Sequence, residues 1–409
     1  MTDNRLYWIW LQQALEPGGV KTALALSAFG SPEALFRASR SELMRAGFTG
    51  ALLERLCRKF LDPSARILES SLKDGAFVLT MGDDEYPDCL RNTYMPPLVL
   101  YGKGVLPPLD RLPAVSMVGT RKASEYGCRA AGSIAAGLAA GGCIVISGGA
   151  VGIDAASHRG ALEGGGLTIA VQGCGLDVDY PKPNRRLREQ ILAADGVIVT
   201  EYPPGSPPLS EHFPVRNRLL AGMAMAVCVV EAPKVSGSLI TARLARNQGR
   251  DVYVVPGEIT SGNSSGSNDL IKDGASLITS ASEILREYGS RFPDILDLRA
   301  ADAAQGAFGR QAAGTGAVLK AAKKAPASPV PAKEVPKPPA PAFCPCPADA
   351  SPKAALLYQM LTPEPLAAEI LAGKAGLAYP DALAGLTELE IAGCARNFPG
   401  RQYALQPIT

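Results

Sequence analysis

Hydrophobic and polar residues follow patterns that change along this 409-residue chain, and each pattern predicts a different structure. Residues 1–65 show apolar positions at helical spacing, interrupted by turns rich in glycine and proline, which predicts a small all-helical module. Residues 70–290 show short β-branched runs that alternate with helical segments at the spacing of βαβ units. This second pattern predicts an α/β domain with an extended Rossmann-like, doubly wound and mostly parallel sheet.

Residues 291–352 lose both patterns and consist mainly of Ala, Gly, Lys and Pro. Between Pro326 and Pro352, ten of 27 residues are proline. Such a segment cannot bury enough apolar surface to fold, so we expect a disordered linker. Cys344 and Cys346 lie within it, and a lone Cys-x-Cys pair in a proline tract is weak evidence for a metal site.

Residues 353–409 regain helical periodicity and end in strand-like alternation. Three short helices and a β-hairpin with Pro399-Gly400 at its tip are predicted here: Ala354–Leu361, Leu366–Ala375, Asp381–Ile391 and the hairpin Gly393–Leu405. Three helices followed by a hairpin predict a winged helix, in which the third helix would be the recognition helix.

The charge of this third helix argues against duplex recognition. It contains three carboxylates and no lysine or arginine: Asp381, Glu388 and Glu390. Such a helix would repel phosphate, and the nearest cations are Arg396 and Arg401, on or beside the hairpin. We therefore expect a protein-binding or autoregulatory role for this module, and we expect it to be dispensable for binding single strands.

Composition narrows the class of protein. The length predicts two or three domains, and the net charge of +2 means that any nucleic-acid site must be a local patch. The nine cysteines are scattered and several fall in apolar runs, which is typical of reduced core residues in a cytoplasmic protein. The uncharged segment Ala130–Ile153 is long enough for a membrane helix, but its seven glycines and its change of period favour a helix followed by a buried strand.

Three turns resemble phosphate cradles, and each follows a predicted strand. The first is Gly119-Thr120-Arg121, the second is Ser147-Gly148-Gly149 with Gly152 close behind, and the third is Ser236-Gly237-Ser238. Glycine lets backbone N–H groups approach an anion, and a following helix N-terminus adds partial positive charge. Purely structural packing turns are the alternative, but three turns on one α/β unit favour a site for several phosphates.

Cations interleaved with aromatic residues supply the second part of this hypothesis. They come from two segments, one containing Lys182 and the other containing Phe213, Arg216, Asn217 and Arg218. Cations neutralise a nucleic-acid backbone while a ring stacks on a base, which suits a single strand. A solvated surface lysine and a core phenylalanine are the alternatives for Lys182 and Phe213.

The sequence offers little evidence for catalysis, a metal or a cofactor. Asp154 and His158 have the i, i+4 spacing of two metal ligands, but no third ligand is evident. Glu201 and Glu231 end predicted strands, yet nothing in their spacing indicates general acid–base chemistry. We therefore expect no catalytic residues, no metal and no cofactor.

Taken in order, these motifs resemble the DNA-processing protein A family (DprA, also called Smf). The resemblance covers roughly Arg5 to Glu287 and rests on eight segments: MVGTRKASEYG, SGGAVGIDAASHRGAL, TIAVQGCGLDVDYPKPN, VTEYPPG, FPVRNRLLAG, VVEAPKVSGSLITA, VYVVPGEI and SGSNDLIKDGA. The C-terminal module is similar to the winged helix that many members carry. The N-terminal helices resemble the family's sterile-alpha-motif or helix-hairpin-helix module.

The resemblance implies binding of incoming single-stranded DNA in the cytoplasm during natural transformation, loading of the RecA recombinase, and homodimerisation. It assigns phosphate contacts to Arg121 and Lys182 and a base contact to Phe213. Two positions depart from the family's usual pattern, because Val151 and Ser210 stand where relatives often carry cations. We expect the dimer surface late in the α/β region, around Leu270–Ile284.

Two other classes of function remain open. A nucleotide-processing or nucleotide-binding enzyme of the lysine-decarboxylase-like type would use a similar Rossmann variant, but its Pro-Gly-Gly-x-Gly-Thr-x-x-Glu stretch is absent. A transcriptional regulator would explain only the winged helix. A non-catalytic mediator that binds single-stranded DNA is the interpretation favoured by the central domain.

Overall fold

A nine-stranded sheet with helices on both faces dominates the first of two units in this protein. The computed structural model describes residues 3–19, 22–308, 350–363, 366–392, 394–398 and 402–405. The chain divides into the units Met1–Lys324 and Ala325–Thr409.

The strand order of the large sheet is β1-β2-β6-β5-β4-β3-β7-β8-β9. In chain order the strands are β1 Phe77–Thr80, β2 Val99–Lys103, β3 Ala114–Val118, β4 Ile144–Ser147, β5 Thr168–Gln172, β6 Val197–Thr200, β7 Ala226–Val229, β8 Asp251–Val254 and β9 Ser276–Leu277. Strands β3 to β9 run parallel, whereas β2 pairs antiparallel with both β1 and β6. The predicted doubly wound, mostly parallel sheet is confirmed.

Strand β3 lies in the interior of this sheet, with β4 on one side and β7 on the other. The chain winds outward from β3 through β4, β5 and β6 and then returns to place β7 beside β3. This reversal creates a topological switch point, and open α/β sheets bind ligands outside the carboxyl ends of the strands at such a point.

Both faces of the sheet are buried, because successive apolar residues of a strand point to opposite faces. On β3, Val115 and Met117 belong to the core under one layer of helices, while Ala114 and Val118 belong to the core under the other. The period of two along a strand sends successive side chains to opposite faces, so an all-apolar strand must be covered twice.

Helices of the α/β region cover these two faces. In chain order they are α7 Asp88–Arg91, α8 Glu125–Ala140, α9 Ile153–Glu163, α10 Arg185–Ala193, α11 His212–Gly222, α12 Gly237–Asn247, α13 Ser265–Lys272 and α14 Ala281–Tyr288. The uncharged segment that resembled a membrane span is α8 followed by β4, as expected. Within the described part of the chain, we find no helix with the length and apolar character needed to cross a bilayer.

Six N-terminal helices pack on the antiparallel edge of the same sheet. They are α1 Arg5–Leu15, α2 Thr22–Phe29, α3 Pro32–Arg37, α4 Arg40–Arg45, α5 Gly50–Cys57 and α6 Asp62–Lys73. Trp8, Trp10 and Leu11 of α1 share one core with Val99 and Tyr101 of β2. The helical module is therefore joined to the sheet through a common core, and its last helix extends beyond the predicted end at residue 65.

Ordered structure continues past the predicted start of the linker at residue 291. A helix, α15, covers residues 298–308, and its Ala301 is fully buried. The side chain of Gln305 accepts a hydrogen bond from the Ala281 amide at 2.8 Å and donates one to the Thr279 carbonyl at 3.1 Å. The linker prediction is thus wrong for residues 291–308, while residues 309–349, including Cys344 and Cys346, lie outside the described residues.

The second unit has the predicted order of three helices and a hairpin. Its elements are α16 Pro352–Met360, β10 Leu366–Ala367, α17 Ala368–Ala375, α18 Tyr379–Ile391, β11 Ala395–Phe398 and β12 Gln402–Leu405. Helix α17 begins two residues after the predicted start at Leu366, because Leu366 and Ala367 pair with β12 to form a three-stranded sheet. The Pro399-Gly400 tip and Arg401 lie outside the described residues.

Two carboxylates of α18 are engaged within this unit. Asp381 forms an ion pair with Lys353 at 2.8 Å, and Glu388 accepts hydrogen bonds from the amide and hydroxyl of Ser351, each at 2.7 Å. The Ser351 groups hold the pKa of Glu388 below its ordinary value. These two carboxylates of α18 therefore hold the N-terminus of α16 in place.

Candidate nucleic-acid interface

An open groove of about 510 Å³ lies at the carboxyl ends of β3 and β7, at the switch point of the sheet. Nine of the residues predicted to bind phosphate or DNA line it: Gly119, Thr120, Arg121, Phe213, Arg216, Asn217, Ser236, Gly237 and Ser238. These residues come from the turns after β3 and β7 and from α11, so the fold brings distant segments of the chain to one place.

The first turn is held by main-chain hydrogen bonds on both sides. The Thr120 amide donates to the Glu231 carbonyl at 2.7 Å, and the Ile153 amide donates to the Thr120 carbonyl at 3.2 Å. These bonds fix the backbone on either side of Gly119 and leave the side chain of Arg121 exposed. A turn that is fixed by main-chain hydrogen bonds and carries an exposed cation is suited to contact with a phosphate.

The second turn supports the groove from beneath. Gly152 has φ +82°, and a Cβ there would lie 2.5 Å from the Thr120 carbonyl oxygen. Ser147 is buried and donates to the Met117 carbonyl at 2.7 Å. The four residues of this turn that were predicted to bind phosphate do not line the groove: Ser147, Gly148, Gly149 and Gly152. Two other residues of this region, Ala150 and Asp154, do line it.

The third turn begins α12, and its first residues line the groove. The Ser236 hydroxyl accepts a hydrogen bond from the Ser238 amide at 3.3 Å and caps the helix. Asn217 on α11 donates to the Gly237 carbonyl at 3.1 Å, which ties the two helices together. The N-terminus of an eleven-residue helix is therefore open to the groove, and its partial positive charge favours an anion.

One wall of the groove consists of a cation and two aromatic rings. The Arg121 guanidinium lies 4.6 Å from the centroid of the Phe213 ring, and the Phe213 and Tyr180 centroids are 5.6 Å apart. Phe213 is half-buried and borders the groove, so it is not an enclosed core residue. A wall of this kind offers a π-face to a base beside a charge for its phosphate.

A buried pair of opposite charges forms the floor. Arg216 is only 4% exposed and donates through Nη1 to the Val171 carbonyl, and Asp154 accepts from the Ala150 amide at 3.3 Å. Burial raises the pKa of Asp154, opposed chiefly by the nearby Arg216, and burial lowers the pKa of Arg216, opposed chiefly by Asp154. Arg216 thus acts from below the groove as a fixed charge that is partly compensated by a carboxylate.

Lys182 lies beside the groove on a short 3₁₀ turn, Lys182–Asn184, just after Tyr180. Its side chain is exposed and has no ion pair among the residues that the structure describes. The neighbouring Arg185 and Arg188 both pair with Asp179. Lys182 and the exposed Arg186 are therefore the cations of this segment that are available to a ligand, although neither lines the groove itself.

Arg218, which was predicted to contact phosphate, is buried away from the groove. Its side chain is 1% exposed, pairs with the equally buried Glu201 at 2.6 Å, and donates to the Met95 carbonyl at 2.7 Å. It faces away from the groove on α11, because Phe213, Arg216 and Asn217 occupy the groove side. Its charge is satisfied inside the protein, so the structure does not support a phosphate contact.

The residues considered for a metal or for catalysis are also engaged in the fold. His158 is fully buried and its Nδ1 lies 2.7 Å from the Thr168 hydroxyl. Among the described residues, no group of three or more His, Cys, Asp or Glu side chains is arranged to hold a metal ion. Glu231 accepts from the Ser124 amide at 2.8 Å, at the N-terminus of α8.

Eleven of the twenty residues that line the groove were not identified from the sequence as ligand contacts, and Tyr180, Val235 and Thr241 are among them. Tyr180 directly precedes Pro181-Lys182, so an aromatic residue beside a proposed phosphate-binding lysine was the available signal. Val235 is 95% exposed at the mouth of the groove. Ser210, the residue at a position where relatives often carry a lysine, lines the groove too, whereas Val151 does not.

Comparisons with known proteins agree with this geometry. The profile of the family described as DNA recombination-mediator protein A matches residues 77–289, and that of the DprA winged helix domain matches residues 336–401. The DNA processing protein DprA of Streptococcus pneumoniae is 46% identical over 206 residues, which cover 50% of this chain and 72% of that protein. Protein Smf of Synechocystis sp. is 34% identical over 413 residues, which cover 98% of each chain.

A solved structure supports the same assignment. The X-ray structure of DNA processing protein A from Streptococcus pneumoniae superposes with a TM-score of 0.59 at 36% identity, covering 68% of this chain and 97% of that one. The family profile spans more than half of the chain and the Synechocystis relative matches nearly its whole length. The resemblance seen in the sequence is therefore confirmed, and this chain belongs to the DNA recombination-mediator protein A (DprA/Smf) family.

Proposed function

We propose that the groove binds single-stranded DNA without sequence specificity and that the protein delivers this strand to the RecA recombinase during natural transformation. The observation that carries the proposal is the wall formed by Arg121, Phe213 and Tyr180 beside the N-terminus of α12. Cations and helix amides address the phosphates, while the rings address a base whatever its identity.

Single strands are favoured over duplexes because the stacking surface needs an unpaired base. In a duplex both faces of each base are occupied by its neighbours, so the Phe213 and Tyr180 rings would gain nothing from binding. Among the described residues, the groove is lined by turns and helix ends, and no protruding helix is placed there to read base edges in a major groove. Sequence selectivity is consequently expected to be low.

The proposed role is binding rather than catalysis. Among the described carboxylates near the groove, Asp154 is buried beside Arg216, Glu231 accepts from the Ser124 amide, and Glu201 pairs with Arg218. General acid–base chemistry requires a carboxyl that reaches the substrate proton. These three groups instead stabilise the walls and floor of the groove.

We further propose that the protein forms a homodimer through the end of the sheet around residues 270–284. Strand β9 is the sheet edge, and its Leu277 is 47% exposed. An exposed edge strand offers unpaired backbone groups to a second chain. Delivery to RecA would then start from a dimer that holds two grooves.

Substitution of Arg121 by alanine tests the groove assignment. We expect the affinity for a single-stranded oligonucleotide to fall by about 1–3 kcal/mol, because one charged phosphate contact is lost. The slope of log affinity against log salt should also decrease, by about 0.7 for that contact. Fluorescence anisotropy over a salt series measures both quantities.

Arg37→Ala is the matched control, because Arg37 is an exposed arginine of the N-terminal helices that pairs with Glu33 at 2.6 Å. It changes the net charge equally but lies outside the groove, so its affinity should remain that of the wild type. Equal affinities for wild type, Arg121→Ala and Arg37→Ala, with all three folded, would show that the groove is not the DNA site.

A further inference from the structure

Helix α11 is shared between the groove and the N-terminal helices. Its residues Phe213, Arg216 and Asn217 line the groove, whereas Val215 and Arg218 face the opposite side. The position of α11 therefore depends on what holds this second side. The following inference rests on the proposed function, since it concerns how the same groove is kept in shape.

Gln12 of α1 reaches from the N-terminal helices to the base of the groove wall. Its Nε2 donates to the Glu201 carbonyl at 2.7 Å and to the Val99 carbonyl at 3.3 Å. The side chain is 3% exposed, so these bonds are shielded from water. One buried amide group thus joins α1, β2 and the residue that follows β6.

The segment that Gln12 anchors leads directly into the groove. Tyr202 follows Glu201, and its ring stacks on His212 with centroids 4.0 Å apart and an angle of 20° between the rings. Residues 203–211 form a loop whose Pro208 and Ser210 line the groove. His212 is the first residue of α11, and the next residue is Phe213, which carries Arg121 on its ring.

The chain that follows α1 also contacts α11 directly, at Val215. The chain after α1 turns at Gly18, which has φ +74°, and a Cβ at this position would lie 2.7 Å from a Val215 methyl group. Between this contact and the Tyr202–His212 stack there is a cavity of about 520 Å³. The N-terminal module therefore reaches α11 directly at Val215, and it reaches α11 indirectly from Gln12 through Glu201, Tyr202 and His212.

We propose that the N-terminal helical module sets the DNA affinity of the groove by positioning α11, and that Gln12 is the residue through which it does so. Gln12 does not line the groove and carries no charge, so its effect on DNA passes through Glu201, Tyr202 and His212. A partner that moves α1 would change the affinity of the groove without touching it. The N-terminal module is in this sense a regulatory element of the DNA site.

Gln12→Leu in the full-length protein tests this proposal, with Gln13→Leu as the matched control. The control makes the same chemical change one residue away, at an exposed side chain whose single bond is from the Ser64 hydroxyl at 3.4 Å. We expect Gln12→Leu to weaken binding of a single-stranded oligonucleotide about 3- to 10-fold at a temperature where it is folded, as for mutations that act on a site through packed neighbours.

Two readouts separate positioning from a general loss of stability. The slope of log affinity against log salt should stay that of the wild type, because no phosphate contact is removed. Amide hydrogen exchange in the DNA-free protein should accelerate over residues 202–222 and remain unchanged in α8 and α9. Gln13→Leu should match the wild type in affinity and in exchange.

Val215→Ala provides a milder variant if Gln12→Leu does not fold. It removes the methyl groups that contact Gly18 and should change affinity and α11 exchange in the same direction by a smaller factor. Wild-type affinity and wild-type exchange in a folded Gln12→Leu or Val215→Ala protein would overturn the proposal. If the wild type itself does not bind DNA, the proposed function is contradicted. The positioning of α11 by Gln12 can still be tested in that case, because the exchange measurement does not require DNA.

Discussion

Three arginines show how the surroundings of a residue decide its role. Arg121 is exposed on the Phe213 ring, Arg216 is buried under the groove, and Arg218 is buried in an ion pair with Glu201. The sequence predicted phosphate contacts for all three. It succeeded in placing Arg121 and Arg216 at the groove, because they follow a strand end or lie on the helix beside it.

Arg218 could not be assigned correctly from the sequence because its partners are distant along the chain. The carboxylate of Glu201 lies 17 residues earlier and the carbonyl of Met95 lies 123 residues earlier. Periodicity places Arg218 on a face of α11 but does not reveal that this face is covered by another element. Tyr180 was not predicted for a related reason, since its contact with the Phe213 ring is a tertiary contact between distant residues.

His158 predicts a pH dependence of stability. Burial lowers its pKa to about 3, from an ordinary value of 6.5. The unfolded chain therefore binds the proton more strongly, so the stabilisation is fully present above pH 6.5 and is lost as the pH falls from 6.5 towards 3. When the pH is lowered from 7 to 5, the titration of His158 alone should decrease the unfolding free energy by about 2 kcal/mol.

His158→Gln isolates this effect, because it removes the titrating ring and leaves every other ionisable group in place. Urea unfolding of both proteins at pH 7 and pH 5 provides the four free energies that are needed. The wild type should lose about 2 kcal/mol more than the variant over this range. An equal loss in the two proteins would show that His158 is accessible to protons in the folded state.

Among the larger elements, the alternation of apolar runs with helical segments over residues 70–290 predicted the doubly wound, mostly parallel sheet that is observed. The three cradle-like turns were also located correctly along the chain. Their separate roles were not predicted: the second turn supports the first, and none of its predicted phosphate contacts lines the groove.

Gly152→Ala tests this supporting role. The substitution should destabilise the protein by about 2 kcal/mol or more, because a side chain at φ +82° is strained and its Cβ would lie 2.5 Å from the Thr120 carbonyl oxygen. Gly165→Ala is the control, since Gly165 has φ +71° with no atom within 4 Å of the added Cβ. Thermal unfolding should separate the two variants, and equal midpoints would show that the close approach contributes nothing.

At the scale of the whole molecule, the composition change near residue 300 did not mark the end of the folded unit. Residues 291–308 are rich in alanine and charge, yet Phe292 and Ala301 are buried against α8 and α14. A short amphipathic segment that packs on an existing core resembles a linker in composition. Only the tertiary contact distinguishes the two.

Truncation after residue 308 tests the division of labour between the two units. A protein of residues 1–308 should bind single-stranded DNA like the full-length protein and sediment as a dimer, because it retains the groove and the β9 edge. Truncation after residue 295 should lower thermal stability, because it removes Ala301 and both hydrogen bonds of Gln305. A substantial loss of affinity in the 1–308 protein would show that the winged helix takes part in binding.

The central claim is that the groove at the switch point binds single strands through phosphate contacts and non-specific stacking. It is tested most directly by titrating the 1–308 protein with single-stranded and duplex oligonucleotides of several sequences across a salt series. We expect tighter binding to single strands than to duplexes, similar affinities for different sequences, and a steep decrease of affinity with salt. Equal or tighter binding to duplex DNA, or an affinity that does not change with salt, would contradict it.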